Sequence, residues 1–173
     1  MRPVAIVLVT GMSGVGKSTV LAELARRGHA VVDTDERGWC EEEPVPGSAR
    51  VERRWREDRI AALLDGHRDG FLFVSGTVPN QGRFYPRFDA VVLLTAPLDV
   101  LLQRIRTRVT NDYGKSEPER ALVVEDVEAV EPLLRPDATA VLDTRRPVAE
   151  VADELEAVAR ASTLGWWPHR RSG

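Results

Sequence analysis

The chain has 173 residues, with 24 Lys and Arg against 27 Asp and Glu, for a formal net charge of −3 at pH 7. That length suits one domain, able to bury roughly 70% of its extended-chain surface without staples, and the near-balanced charge offers no electrostatic footprint for nucleic acid or an anionic membrane. The single cysteine, Cys40, excludes an internal disulfide framework and a cysteine-based zinc site, and the early apolar run Val4 to Val9 is too short for a membrane span or a convincing signal peptide, so the expectation is a monomeric cytoplasmic protein with neither nucleic acid nor membrane as partner.

Val4 to Val9 is a continuous aliphatic run that reads as a strand buried on both faces. Lys17 to Arg27 places Val20, Leu21, Leu24 and Ala25 on one stripe and stops at Gly28, which predicts a helix. A short strand follows at Ala30 to Val32 and ends in Asp33. Beyond an acidic loop, Ser48 can cap a helix running to about Leu64. Phe71 to Val74 and Ala90 to Leu94 are the next strands. Asp99 to about Arg108 reads as a helix with Leu101, Leu102 and Ile105 on one side. Asn111 to Pro118 is polar and turn-rich, Glu119 to Leu134 a further helix, Ala138 to Leu142 a fifth strand and Val148 to Ala161 the last helix. Short apolar strands alternating with helices predict an α/β fold of three layers, with a ligand at the carboxyl ends of the strands.

Between the first strand and first helix stands Gly11-Met12-Ser13-Gly14-Val15-Gly16-Lys17-Ser18-Thr19, which fits the Walker A pattern in full. Glycines let backbone N–H groups turn inward around phosphate oxygens, and the helix start directs its positive dipole end at the same anion. Gly11, Ser13, Gly14, Val15, Gly16, Lys17, Ser18 and Thr19 are therefore candidate nucleotide contacts. Lys17 can reach the β- and γ-phosphates and Ser18 can complete a Mg²⁺ shell. Only two of the basic residues are lysines, Lys17 and Lys115, against an arginine-rich background. At the next strand end lies Asp33-Thr34-Asp35. One of these carboxylates could hold Mg²⁺ and the other accept a proton from a hydroxyl.

Walker A, then Asp-x-Asp after the second strand, then an arginine-rich region after the fourth, resembles the P-loop small-molecule kinases, both the adenylate-kinase-like nucleoside monophosphate kinases and the shikimate-kinase-like enzymes. The resemblance covers nearly the whole chain. It implies a five-stranded parallel sheet of order 2-3-1-4-5, ATP as phosphoryl donor with Mg²⁺, and two mobile segments closing over the substrates. Those segments would be an acceptor-binding insert at about 36–69 and a lid at about 109–118. It assigns Asp33, with Ser18, to the metal and Asp35 to the acceptor. It makes Arg104 and Arg108 the Arg-x-x-x-Arg pair that packs on adenine and grips the donor phosphates. Arg146, in Asp143-Thr144-Arg145-Arg146-Pro147, falls in the adenine-contacting loop. Many relatives carry an acid at the end of the third strand; this chain has Val74-Ser75-Gly76-Thr77 there, without the triple glycine of shikimate kinases.

Acceptor contacts are expected from Gly76, Asn80, Gln81 and Arg83, where amides can read a base edge or hydroxyls and a guanidinium can take a phosphate. The insert adds Trp39, able to stack on a base, and Arg50, Arg53 and Arg54, which would share one face of a helix, with Arg54 taken as the acceptor contact. The expected activity is transfer of the γ-phosphoryl of Mg-ATP to a small-molecule acceptor, foremost a nucleoside monophosphate. The alternative acceptor is a hydroxyl on a shikimate-like acid, a sugar acid or an aminocyclitol. An alternative of another class is a nucleotide-dependent switch or assembly factor. Trp166 and Trp167, in a tail at about 162–173, are expected to dock on the chain's own surface.

Overall fold

The computed structural model describes residues 2–165, so the tryptophan pair of the tail lies outside the described residues. The order of elements is β1 (Ala5–Thr10), α1 (Lys17–Arg26), β2 (Ala30–Asp33), β3 (Cys40–Pro44), β4 (Val51–Trp55), α2 (Glu57–Gly66), β5 (Phe71–Ser75), a 3₁₀ turn (Gln81–Arg87), β6 (Ala90–Thr95), α3 (Leu98–Thr107), α4 (Glu117–Ala129), α5 (Glu131–Leu134), β7 (Ala140–Asp143) and α6 (Val148–Thr163). Five parallel strands pair in the order β2-β5-β1-β6-β7. With the separate β3–β4 hairpin left out of the count, that order is 2-3-1-4-5.

Strand periodicity divides the core. Ala5, Val7 and Val9 of β1 pack with Phe71 and Phe73 of β5 against Val20, Leu21 and Leu24 of α1 and Val151, Leu155 and Val158 of α6. Ile6, Leu8, Leu72 and Val74 face the other way, toward Ile60 and Leu64 of α2, Trp55, Phe84 and Phe88. The sheet is thus buried on both sides, as the unbroken apolar runs of β1 and β6 require. No helix among the described residues is long and apolar enough to cross a membrane.

Two local readings are corrected. No helix begins at Ser48. Residues 40–55 form the antiparallel hairpin β3–β4, with Glu41 opposite Arg54 and Glu42 opposite Arg53. These cross-strand pairs join opposite charges, and the segment has no apolar stripe that a helix could bury. Ser48 lies in the turn, where its hydroxyl accepts from the Arg50 N–H. Helix α2 starts only at Glu57, with Glu57 and Asp58 in its first turn complementing the dipole. The helix expected over 119–134 instead starts at Glu117, closed by a Ser116–Glu119 capping box, and is interrupted at Val130 before Pro132 opens α5. Glu117 and Pro118 are consequently helical rather than part of a loop.

The hairpin is bolted to the sheet at its base. Asn80, 5% exposed, accepts from the Trp55 N–H at 2.9 Å through Oδ1 and donates to the Trp55 carbonyl at 3.0 Å through Nδ2. The Trp55 indole, 1% exposed, donates to Thr34 Oγ1 at 2.9 Å, and that hydroxyl donates to the Ser75 carbonyl at 2.7 Å. Gly76 is required by space: a Cβ there would lie 2.3 Å from Thr34 Oγ1 and 3.1 Å from the indole. Asn80→Ala leaves both polar groups of a buried peptide position without partners, at about 1–3 kcal/mol each. Chemical denaturation of this variant is expected to show a loss of about 2–5 kcal/mol.

Candidate active site

The loop between β1 and α1 lines an open cleft of about 1490 Å³ at the carboxyl ends of the strands. Gly14 has a φ of 81°, and a Cβ on it would meet Leu101 O at 2.9 Å and Ile105 Cγ1 at 2.8 Å. Glycine therefore both permits the turn and lets the loop lie directly on α3. At the start of α1, Lys17 Nζ donates to the carbonyls of Gly11 at 2.5 Å and Met12 at 3.3 Å. Burial pushes its pKa below the ordinary lysine value, an effect that Asp35 and Asp33 oppose. The ammonium is thus held in the loop by two carbonyl oxygens.

Four groups outside the loop hold its shape. Thr77 Oγ1 donates to the Gly11 carbonyl at 2.7 Å and accepts from the Gly11 N–H at 3.2 Å, while lying 3.1 Å from Thr10 Oγ1. Gln81, 2% exposed, donates through Nε2 to Thr10 Oγ1 and to the Tyr85 hydroxyl, and its Oε1 accepts from the Val78 N–H. On the opposite side, Arg104 donates to Val15 O at 3.1 Å, Thr144 Oγ1 at 2.9 Å and Thr144 O at 2.6 Å. Thr144 Oγ1 itself donates to Val15 O at 2.7 Å.

The two acids diverge in role. Ser18 Oγ donates to Asp33 Oδ2 at 2.7 Å, so a hydroxyl and a carboxylate oxygen converge beside the loop. The other Asp33 oxygen accepts from the Asp35 N–H at 3.0 Å. That bond turns the Asp35 side chain outward to line the cleft. There Arg53 lies against it, with Nη1 3.7 Å from Asp35 Oδ1 and Nη2 donating to the Asp35 carbonyl at 3.3 Å.

Arg108 follows α3 and is turned onto the next segment, donating through Nε to Asn111 O at 3.0 Å and through Nη2 to Tyr113 O at 2.6 Å. Burial pushes its pKa down, although it stays a cation. Residues 109–116 form a tied turn in which Tyr113 N–H also bonds to Asn111 Oδ1 and Gly114 N–H to Glu119 Oε2. Arg146 reaches the cleft wall but is paired with Glu150 at 3.2 Å and Glu154 at 3.5 Å.

Several expected acceptor contacts do not face the cleft. Arg54 turns to the opposite side of the hairpin and pairs with Glu43 at 3.0 Å. Arg83 pairs with Glu57 at 2.7 Å, and both arginines line a separate cavity of about 340 Å³ with Trp55 and Asn80. The reason for Arg54 is strand alternation, which puts Arg53 and Trp55 on one face and Arg54 on the other. Trp39 packs on the α2 side of the core, with the Arg59 guanidinium 5.6 Å above its ring. The amides of Asn80 and Gln81 are spent on protein groups, and Gly76 is filled over by Thr34 and Trp55. The residues that sequence reasoning underrated are Arg53, Thr77 and Thr144. Only the parity of Arg53 in a strand could have flagged it, and that parity is hidden when a helix is taken to run from Ser48 to about Leu64.

A search of curated proteins returns no match to this chain. Among solved structures, a shikimate kinase from Acinetobacter baumannii in complex with shikimate superposes with a TM-score of 0.62 at 18% identity, over 94% of this chain and 97% of that one. A gluconokinase from Sinorhizobium meliloti 1021 superposes with a TM-score of 0.63 at 22% identity, over 98% and 100%. An unliganded sugar kinase from Janibacter sp. HTCC2649 gives 0.53 at 21% identity, over 92% and 98%. These likenesses establish a shared fold across nearly the full length. The AAA domain model matches residues 7–128, from β1 through the phosphate-binding loop, the acid pair and most of α4, and on that match the chain belongs to the AAA domain family.

Proposed function

We propose that this protein is an ATP-dependent small-molecule kinase that moves the γ-phosphoryl of Mg-ATP to a hydroxyl of a non-nucleotide metabolite. The observation that carries the choice of acceptor is the Asp35–Arg53 pair at the open side of the phosphate loop. A hydroxyl acceptor must lose a proton, and Asp35 is a carboxylate placed to take it. A nucleoside monophosphate calls instead for several guanidiniums and base-reading amides, and here Arg54, Arg83, Asn80 and Gln81 are all engaged elsewhere. The structural neighbours point the same way, being named as kinases of shikimate, gluconate and a sugar.

In this reading Lys17 leaves the Gly11 and Met12 carbonyls for the phosphates and neutralises charge that builds up during transfer. Ser18 Oγ and Asp33 Oδ2, already 2.7 Å apart, form an oxygen pair suited to a hard cation, so the residues fit Mg²⁺. The cation would supply charge neutralisation at the phosphate oxygens. The acceptor oxygen attacks the γ-phosphorus as the bond to the leaving ADP oxygen breaks, and Asp35 takes the hydroxyl proton. Arg53 orients Asp35 and offers its remaining donors to the acceptor. Arg104, fixed in its plane by Val15 and Thr144, lines the cleft and would pack on the base, while Arg108 would close over the phosphates.

ADP release with Mg-ATP across shikimate, gluconate and other sugar acids, neutral polyols, aminocyclitols and nucleoside monophosphates tests this reading. Turnover is expected with a hydroxyl acceptor. Efficient turnover of a nucleoside monophosphate would overturn the acceptor class, and nucleotide binding without turnover of any acceptor would favour the switch reading. On the responding acceptor, Lys17→Ala should lower kcat/KM by a factor of about 10³ or more. Asp35→Asn should lower kcat by about 10²–10⁴ with the KM for ATP unchanged.

A further prediction concerns Arg104. Arg104→Lys keeps the charge but cannot satisfy Val15 O and both Thr144 oxygens at once. It should weaken binding of a non-hydrolysable ATP analogue by about tenfold and lower stability by about 1–3 kcal/mol, as read by calorimetric titration and denaturation.

A further inference from the structure

Two glycines far apart in sequence press on one side chain. Ile105, fully buried in α3, lies against Gly14 of the phosphate loop, where a Cβ would come 2.8 Å from its Cγ1 and 3.2 Å from its Cδ1. Gly114, in the turn after α3, meets the same residue at another carbon. It is buried with a φ of 86°, and a Cβ on it would come 2.6 Å from Ile105 Cγ2. Neither contact leaves room for a methyl group, so the loop and the turn both rest on one isoleucine. The neighbours of Ile105 complete the bracket. Arg104 holds Val15 O of the loop, and Arg108 holds Asn111 O and Tyr113 O of the turn.

Each of these two segments holds one cation. Lys17 is bonded to the carbonyls of Gly11 and Met12, Arg108 to those of the turn, and both side chains line the cleft. Burial lowers the Lys17 pKa against the pull of Asp35 and Asp33, and the charge of Arg108 adds to the lowering, so the two cations feel each other. Like charges repel and do not set their own spacing; the scaffold beneath them has to. We propose that Ile105 is a positioning residue that fixes the separation of Lys17 and Arg108, through Gly14 on one side and Gly114 on the other, so that both reach the terminal phosphate of one bound nucleoside triphosphate. This rests on the phosphotransferase reading of the loop. In that role the branch at the Ile105 Cβ matters more than the volume of the side chain, because Cγ1 bears on the loop and Cγ2 on the turn.

Calorimetric titration with Mg-ADP and with the Mg²⁺ complex of a non-hydrolysable ATP analogue tests the proposal, because the ratio of the two affinities isolates contacts to the terminal phosphate. Ile105→Leu conserves volume but lacks Cγ2, whereas Ile105→Val keeps a carbon at both γ positions. Ile105→Leu is expected to lower affinity for the analogue about tenfold more than affinity for ADP, the worth of one hydrogen bond to a charged group. Ile105→Val should keep the parental ratio despite its lost hydrocarbon. Gly114→Ala presses on Cγ2 from the turn and should reproduce the loss seen in Ile105→Leu. Ile60→Leu, the same exchange in the core on the other side of the sheet, should lower Tm without changing the ratio. A parental ratio in Ile105→Leu overturns the proposal, as does an equal loss in Ile60→Leu or Ile105→Val, which would make the effect one of general packing. If Ile105→Leu does not fold, Gly114→Ala decides, and a parental ratio there overturns the proposal. If the parent binds neither nucleotide, the phosphotransferase reading fails and the proposal with it, a result distinct from failure in the variants alone.

Discussion

The carbonyl of Val15 is where the two sides of the cleft are tied together. It sits in the middle of the phosphate-binding loop and receives donors from α3, through Arg104, and from the segment after β7, through Thr144. Arg104 also grips the Thr144 carbonyl, and the Thr144 N–H bonds to Thr95 O at the end of β6. One buried acceptor thereby fixes a loop, a helix and two strand ends with respect to each other. A loop that must present several N–H groups to an anion is unstable in that shape unless other groups hold its carbonyls. The pairing of Gly11 with Thr77 does the same work from the other side. The loop is therefore held in shape by the protein alone, and little ordering would remain to offset the binding of an anion there.

The hairpin side of the cleft is built on a different principle. Its residues belong to a charged hairpin that has almost no core of its own. Asn80, Trp55 and Thr34 join the end of β4 to the ends of β2 and β5, and most of the strand and turn beyond that joint is exposed. The outer end meets the rest of the protein through Arg50 and Glu125 of α4, 3.9 Å apart and both exposed, a contact worth little in water. The cleft thus has a floor tied at several points and a hairpin wall anchored chiefly at the joint of Asn80, Trp55 and Thr34.

The parts of this arrangement visible in the sequence are those governed by local chemistry or by burial on both faces. The β1 run, the glycine loop and the spacing to Asp33 are all short-range patterns, and the alternation of apolar strands with helices dictates the layering. The hairpin was obscured because Cys40–Pro44 and Val51–Trp55 bury so little that neither shows a clean period of two, and the complementarity of Glu41 with Arg54 and Glu42 with Arg53 exists only once the register is known. Arg104 and Arg108 could be picked out by spacing, but not that one would be bound to two protein carbonyls and a hydroxyl. The amides of Asn80 and Gln81 look like ligand readers in a string of letters. Their burial, which decides the matter, is a property of the packed chain.

The grip of Asn80 on Trp55 also bears on how such a site could diversify. Because both backbone groups of Trp55 are held, the parity of β4 is set from its inner end, and Arg53 faces Asp35 whatever happens farther out. Residues 45–50 can lengthen, shorten or change charge without rotating any side chain near the reacting centre. The hairpin wall of the cleft can then be reshaped by changes at the tip alone, whereas a single-residue insertion between Arg53 and Trp55 would turn Arg53 away from the cleft and put the inserted residue or Arg54 in its place. Tolerance and intolerance to insertion are separated by two residues of one strand, and the boundary between them is a buried asparagine.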